Sequence, residues 1–196
     1  FANIPFSEEE IWDGYPEEIN APYGLSKKMM LVQSDAYRQQ FGFNSISVVP
    51  TNLYGPHDNF NPETSHVIAG IILKIFNAQR SDLDKITLWG DGHPTRDFLF
   101  VEDAARGVVL AGEKYEGESI INLGSEQEIS IKDLAGTIAK IMNFSGQITW
   151  DNTKPNGQPR RCVSNQKAKE NFGFEAEISL EDGLQKTIDW YVSQNN

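Results

Sequence analysis

Apolar residues in this chain recur at two spacings. Val67, Ile68, Ile71, Ile72, Ile75 and Phe76 follow a three-and-four step, which predicts an amphipathic helix over about 66–79, with Thr64 or Ser65 as its cap. A helix over 21–41 rests on different signals: Asn20 as a cap, Pro22 in the first turn and Gly42 as a stop. Further helices are expected over 102–115, from a Ser130 cap to about Asn143, over 165–172, and after a Ser179 cap. The last of these carries Leu180, Leu184, Ile188, Trp190 and Tyr191. Short apolar or β-branched runs at 45–49, 86–89, 97–101, 119–123 and 147–151 read as strands. Turn formers fill 50–60, 90–94 and 153–161, and the acidic, Pro-containing stretch 1–22 reads as a loop running into a helix.

Strands that alternate with helices predict an α/β fold with parallel strands, in which ligands gather at the carboxyl ends of strands. The segment around Asn52 is where that rule points. No G-x-x-G-x-x-G turn occurs in the 196 residues, so the Gly-rich dinucleotide-binding half is expected upstream. The chain also opens on Phe1 rather than Met and is read as the C-terminal part of a longer polypeptide.

Charge and composition narrow the possible partners. A formal net charge of −11, with no basic stripe to offset it, argues against nucleic acid. The longest apolar stretch, Val67 to Phe76, is broken by Lys74 and is too short to span a bilayer, so no membrane partner is expected. A single cysteine, Cys162, excludes an intramolecular disulfide. No Cys/His cluster has metal-ligand spacing, so no metal site is expected, and a reducing, cytoplasmic setting fits.

Tyr23 and Lys27 stand four residues apart in the first turns of a predicted helix, which brings a phenol beside an ammonium. A nearby cation favours the phenolate, equipping Tyr23 to exchange a proton with a carbonyl or hydroxyl while hydride moves elsewhere. Taken alone, the spacing also fits an ordinary amphipathic helix with an interfacial Tyr and a solvated Lys.

Context makes the pattern specific. The run Pro50-Thr51-Asn52-Leu53-Tyr54-Gly55-Pro56-His57-Asp58-Asn59-Phe60 is followed by Ser65-His66-Val67-Ile68. Tyr23-x-x-x-Lys27 precedes it, and Trp89-Gly90 and Arg96-Asp97-Phe98 come after. From about Pro5 to the last helix, this ordered set resembles the GDP-L-fucose synthase family of extended short-chain dehydrogenase/reductases, within the NAD-dependent epimerases/dehydratases.

The resemblance implies the C-terminal part of a Rossmann-type fold with a smaller α/β substrate-binding lobe. Residues 1–80 would belong to the NADP-binding domain and 81–196 mainly to the lobe, with some segments returning to the first domain. It also implies NADP(H), a GDP-sugar substrate and a homodimer, with the helices of Tyr23 and His66 as interface elements. Tyr23 would give a proton to the C4 oxygen, and Lys27 would acidify it and bond the nicotinamide ribose. His66, beside the cofactor, would reprotonate the sugar ring during epimerisation, which an imidazole titrating near neutrality is able to do; a capping or surface His is the alternative. Pro50, Thr51, Asn52 and Leu53 would line the nicotinamide, with Asn52 near the sugar or else closing an Asx-turn. Arg96, Lys74 and Arg161 are the cations available for a diphosphate, and Trp89 would pack on the nucleotide or sugar, unless it is core.

Two positions depart from the family pattern. Lys74 replaces a frequent Arg and loses bidentate geometry. Asn156 replaces the Asp of the Lys-Pro-Asp-Gly loop and loses a charge-assisted bond to guanine donors. The family's carbonyl-polarising Ser and its Cys base would both precede Phe1, so this chain by itself is expected to be inactive. Half a parallel sheet would also leave an exposed apolar edge. Another nucleotide-sugar epimerase or dehydratase that recycles NAD, or a non-catalytic nucleotide-sugar binding fragment, are the competing readings.

Overall fold

The computed structural model describes residues 3–195, so the first two residues of the loop expected over 1–22 lie outside it. In chain order the elements are α1 Ala21–Phe41, β1 Val48–Pro50, β2 Asn52–Tyr54, α2 Val67–Arg80, β3 Lys85–Trp89, β4 Thr95–Phe100 and α3 Val101–Lys114. There follow β5 Ile121–Leu123, β6 Glu128–Ser130, α4 Ile131–Ile141, β7 Gln147–Asp151, β8 Arg160–Arg161, α5 Gln166–Phe172 and α6 Leu180–Asn195.

One extended run, from Val48 to Tyr54, changes partner halfway. Its first part, β1, pairs in parallel with β5, whereas its second part, β2, pairs in parallel with β4. Between them the Thr51 N–H still donates to the Leu123 carbonyl, at 2.9 Å. The strand expected over 45–49 therefore begins at Val48 and runs on into a segment expected to be loop. Turn-forming letters hid β2 because ladder bonds to β4 override local propensity.

β4 is the strand on which the packing converges. It pairs antiparallel with β6 and parallel with β8, while β3 and β7 form a separate parallel pair. Alternate β4 residues serve opposite faces, as a period of two requires. Phe98 and Phe100 join a core with Tyr54, Ile72, Ile75, Leu134, Ile138 and Leu184. Leu99 joins a second core with Ile121, Leu123, Phe172 and Phe174. With both faces covered, β4 reads as an apolar run rather than an alternation. The predicted face of α2 is the buried one: Ile68, Ile71, Ile72, Ile75 and Phe76 are all buried, and each such side chain contributes about 1.5–3 kcal/mol.

Helix ends follow the sequence with two exceptions. Ser130 and Ser179 cap α4 and α6, their Oγ atoms accepting from the N–H of Asp133 at 3.0 Å and of Asp182 at 3.1 Å. His66, not Thr64 or Ser65, occupies the N-cap of α2, and its side chain bonds no helix N–H. Asn20 holds the N-cap position of α1, yet its amide donates to Glu17 Oε2 at 3.0 Å instead of capping. Gly42 ends α1 in the left-handed region, as expected of a glycine stop. The short strands β6 and β8 carried too few residues to register in the sequence pattern.

α1 differs from the other long helices in how little it buries. Ala21 is its buried residue, while Leu25, Met29, Met30, Val32, Tyr37 and Phe41 are exposed.

The caps predict unequal costs. Ser130→Ala should destabilise by about 1 kcal/mol in urea unfolding, whereas Asn20→Ala should change stability by only a few tenths. Cys162 is buried, and burial together with the Asp97 carboxylate pushes its thiol up to about 12. Iodoacetamide at neutral pH should therefore alkylate the folded chain at least about a hundredfold more slowly than the chain in denaturant.

Candidate active site

A cleft of about 1110 Å³ opens at the carboxyl ends of β1 and β5, where the run 48–54 changes partner. Its walls bring together Tyr23, Pro50, Thr51, Asn52, Leu53 and His66 from the first part of the chain. From the second part come Trp89, Arg96, Asn156 and Arg161. Ten of the twelve residues singled out from the sequence thus share one cavity, although 138 positions separate Tyr23 from Arg161.

Lys27 and Lys74 are the two that do not line it. The Lys27 ammonium stands 5.5 Å from the centroid of the Tyr23 ring, one helical turn further on. Lys74 donates to the Thr87 carbonyl at 2.7 Å and borders a separate groove with Asn77, Ser81 and Lys85. Burial pulls its pKa below the ordinary lysine value. The four-residue spacing identified the first neighbour correctly, while the direction of Lys74 depended on where β3 packs against α2.

Local sequence explains how the phenol reaches the cleft. A Cβ on Gly24 would fall 2.8 Å from the Pro16 side chain, so the absence of one lets the preceding loop lie against the first turn of α1. Tyr23 is left two-thirds exposed, at 67%. Across the cleft, the Asn52 amide donates to the Asp97 carbonyl at 2.8 Å. Thr51 Oγ1 donates to the same carbonyl at 3.2 Å. His66 is exposed at the start of α2 and offers its imidazole to the cavity.

Two guanidinium-bearing residues oppose one another at the other end. Arg96 on β4 and Arg161 on β8 are register partners on neighbouring parallel strands. Burial first, and then the like charge of Arg161, lowers the Arg96 pKa, against an opposing pull from Glu17. Trp89, at the end of β3, is exposed, and Lys154 stands over its ring at 5.7 Å. Asn156 accepts the Asp91 N–H at 2.8 Å and thereby fastens the loop after β7 to the turn after β3. Gly90, at φ +76, has no room for a Cβ beside the Asn156 amide.

Two buried carboxylates in this region escaped sequence reasoning as site components. Glu8 lines the cleft while its Oε1 accepts the Asn122 N–H at 2.9 Å. Nothing distinguishes it in sequence from its neighbours Glu9 and Glu10. Asp97 is completely buried, and here a signal existed, since it is a carboxylate at the head of an apolar strand. Among the described residues no group of His, Cys, Asp and Glu is arranged to hold a metal ion.

A phenol, an imidazole, a strand-end amide, an indole face and two guanidiniums in one cleft constitute equipment for proton transfer on an anionic ligand with a planar or ring portion. Comparisons with known proteins show what the chain as a whole is similar to. Residues 2–124 match the model of the NAD dependent epimerase/dehydratase family. "Probable GDP-L-fucose synthase 1" of Oryza sativa subsp. japonica is 39% identical over 192 residues, a match that covers 98% of this chain and 58% of that protein. The GDP-L-fucose synthase of Escherichia coli strain K12 is 36% identical, with 100% and 63% covered. A solved GDP-L-fucose synthetase from Naegleria fowleri, bound to NADP, superposes with a TM-score of 0.90 at 33% identity, covering 98% of this chain and 62% of that one. The chain thus spans about three-fifths of the length of these relatives.

Proposed function

The chain belongs to the NAD dependent epimerase/dehydratase family, and on that premise we propose that it is the C-terminal portion of a GDP-L-fucose synthase. The complete enzyme would convert GDP-4-keto-6-deoxy-D-mannose to GDP-L-fucose by epimerisation at C3 and C5 and reduction at C4. The observation that carries this reading is the opposed pair Arg96 and Arg161 in the same cleft as Tyr23 and His66. Like charges on facing positions repel, and a diphosphate between them turns that repulsion into two sets of charge-assisted bonds.

Each remaining group has a role in the same reading. Tyr23 gives its proton to the C4 oxygen, and Lys27 stands beside its ring, 5.5 Å from the centroid. His66 returns protons to the ring carbons, and Asn52 orients the sugar. Trp89 offers an exposed ring face to the nucleotide or the sugar. Lys74 lies outside the walls and contributes less than the arginines. The Asn156 carbonyl already accepts the Asp91 N–H and carries no charge, which supports a looser base preference than a carboxylate would give.

NADP(H) supplies the hydride when bound. The accessible Tyr23 phenol and the strand end Pro50, Thr51, Asn52 and Leu53 border one cavity with His66, and this arrangement fits the cofactor's nicotinamide end. Lys27 would hold the adjoining ribose. Residues 1–80 would then form the C-terminal part of the NADP-binding domain, and 81–196 mainly the substrate lobe, with β5 returning beside β1. The apolar side chains exposed on α1 support a homodimer, and the lone Cys162 suits a cytoplasmic setting.

In the complete enzyme, Tyr23→Phe should lower the rate of C4 reduction by about 10²–10⁴, while deuterium from solvent still enters C3 and C5. Mass spectrometry of the recovered sugar checks this, and equal loss of both activities would contradict the roles given. Arg161→Ala should raise KM for the GDP-sugar by about tenfold, and Lys74→Ala by less than about threefold. Enzyme that retains and recycles NAD with no net NADPH oxidation would overturn the reductase reading.

A further inference from the structure

We infer that Asp97 is the positioning residue of this cleft: a carboxylate that touches no ligand yet holds Arg96 and Arg161 at the spacing that grips a diphosphate. The inference rests on the anion-binding role proposed above for the two arginines. Asp97 follows Arg96 on β4, and its side chain points away from the cleft into the protein, where it is fully buried. Its Oδ1 accepts from the Ser125 N–H at 3.1 Å and from Ser125 Oγ at 2.5 Å. The Cys162 thiol, next to Arg161 in the chain, donates to Oδ2 at 4.0 Å. A Cβ on Gly124 would come within 2.7 Å of Oδ2, so the loop closes on the carboxylate at a position without a side chain.

Three segments therefore meet on one carboxylate: β4 immediately after Arg96, the connection from β5 to β6, and the chain immediately after Arg161. The backbone carbonyl of the same residue receives Thr51 and Asn52, on the side of the reacting sugar. Among the described residues the carboxylate forms no ion pair, and burial raises its pKa above the ordinary carboxylate range. A buried acid without a cationic partner is a costly way to join segments, and an apolar side chain would serve stability at least as well. What only a multi-acceptor anion supplies is a fixed geometry for several donors from separate segments, and hence for the two arginines that flank them.

Asp97→Asn tests this in the complete enzyme, since the amide keeps the shape but turns an N–H toward backbone donors. Titration calorimetry with GDP and with inorganic pyrophosphate should show both binding about tenfold more weakly, and NADPH binding should stay within about twofold. Ser125→Ala removes one donor and should weaken GDP and pyrophosphate in the same sense by about threefold. It decides the question if Asp97→Asn does not fold, and circular dichroism monitors both variants. Folded variants that bind GDP and pyrophosphate as tightly as the parent would overturn the inference and leave the proposed function standing. Losses shared equally by NADPH would also overturn it, because they describe a general structural role. A parent enzyme that binds NADPH but neither GDP nor pyrophosphate would overturn the inference together with the proposed function.

Discussion

The cleft depends on one constraint: the extended run Val48–Tyr54 must leave β5 and join β4 without stranding a buried polar group. Backbone donors and acceptors at such a crossing have no regular ladder to satisfy them. Here the Thr51 N–H stays with Leu123, while its hydroxyl and the Asn52 amide both go to the Asp97 carbonyl. Among the described residues no buried side-chain nitrogen or oxygen is left without a partner. The cavity lies along this crossing, lined by the end of β1 at Pro50, by Thr51, and by the start of the β2–β4 pairing at Asn52 and Phe98.

Charge is arranged against the average of the molecule. A chain of net charge −11 repels an anion at long range, so affinity for one must come from cations held close and partly dehydrated. In the proposed reading strand register brings half-buried Arg96 beside exposed Arg161 for that purpose, whereas Lys74, equally cationic, is tied to the β3 backbone elsewhere. The Asn156 clamp keeps the loop carrying Lys154 against the turn beyond Trp89, so the indole and the arginines stay at one end of the cavity.

α1 shows the opposite economy. Its 21 residues bury little, and propensity alone rarely sustains a helix without a packed face. The exposed Leu25, Met29, Met30 and Val32 form the kind of surface that another element or another subunit covers.

Sequence by itself determined most of the elements and the identity of the chemical groups. Periodicity marked the buried face of α2, Ser130 and Ser179 marked helix starts, and Tyr23-x-x-x-Lys27 with the run 50–60 marked the chemistry. These are local properties, set by dihedral preference and by spacing along a single element. Tertiary structure decided what no local signal encodes. It split 48–54 between two partners, sent the Asn20 amide to Glu17, turned Lys74 toward Thr87 and brought Arg96 opposite Arg161. It also separated Glu8 from its acidic neighbours and made Asp97 a junction. Register and burial are properties of segments far apart in the chain, so the same letters carry different roles depending on which strand lies alongside.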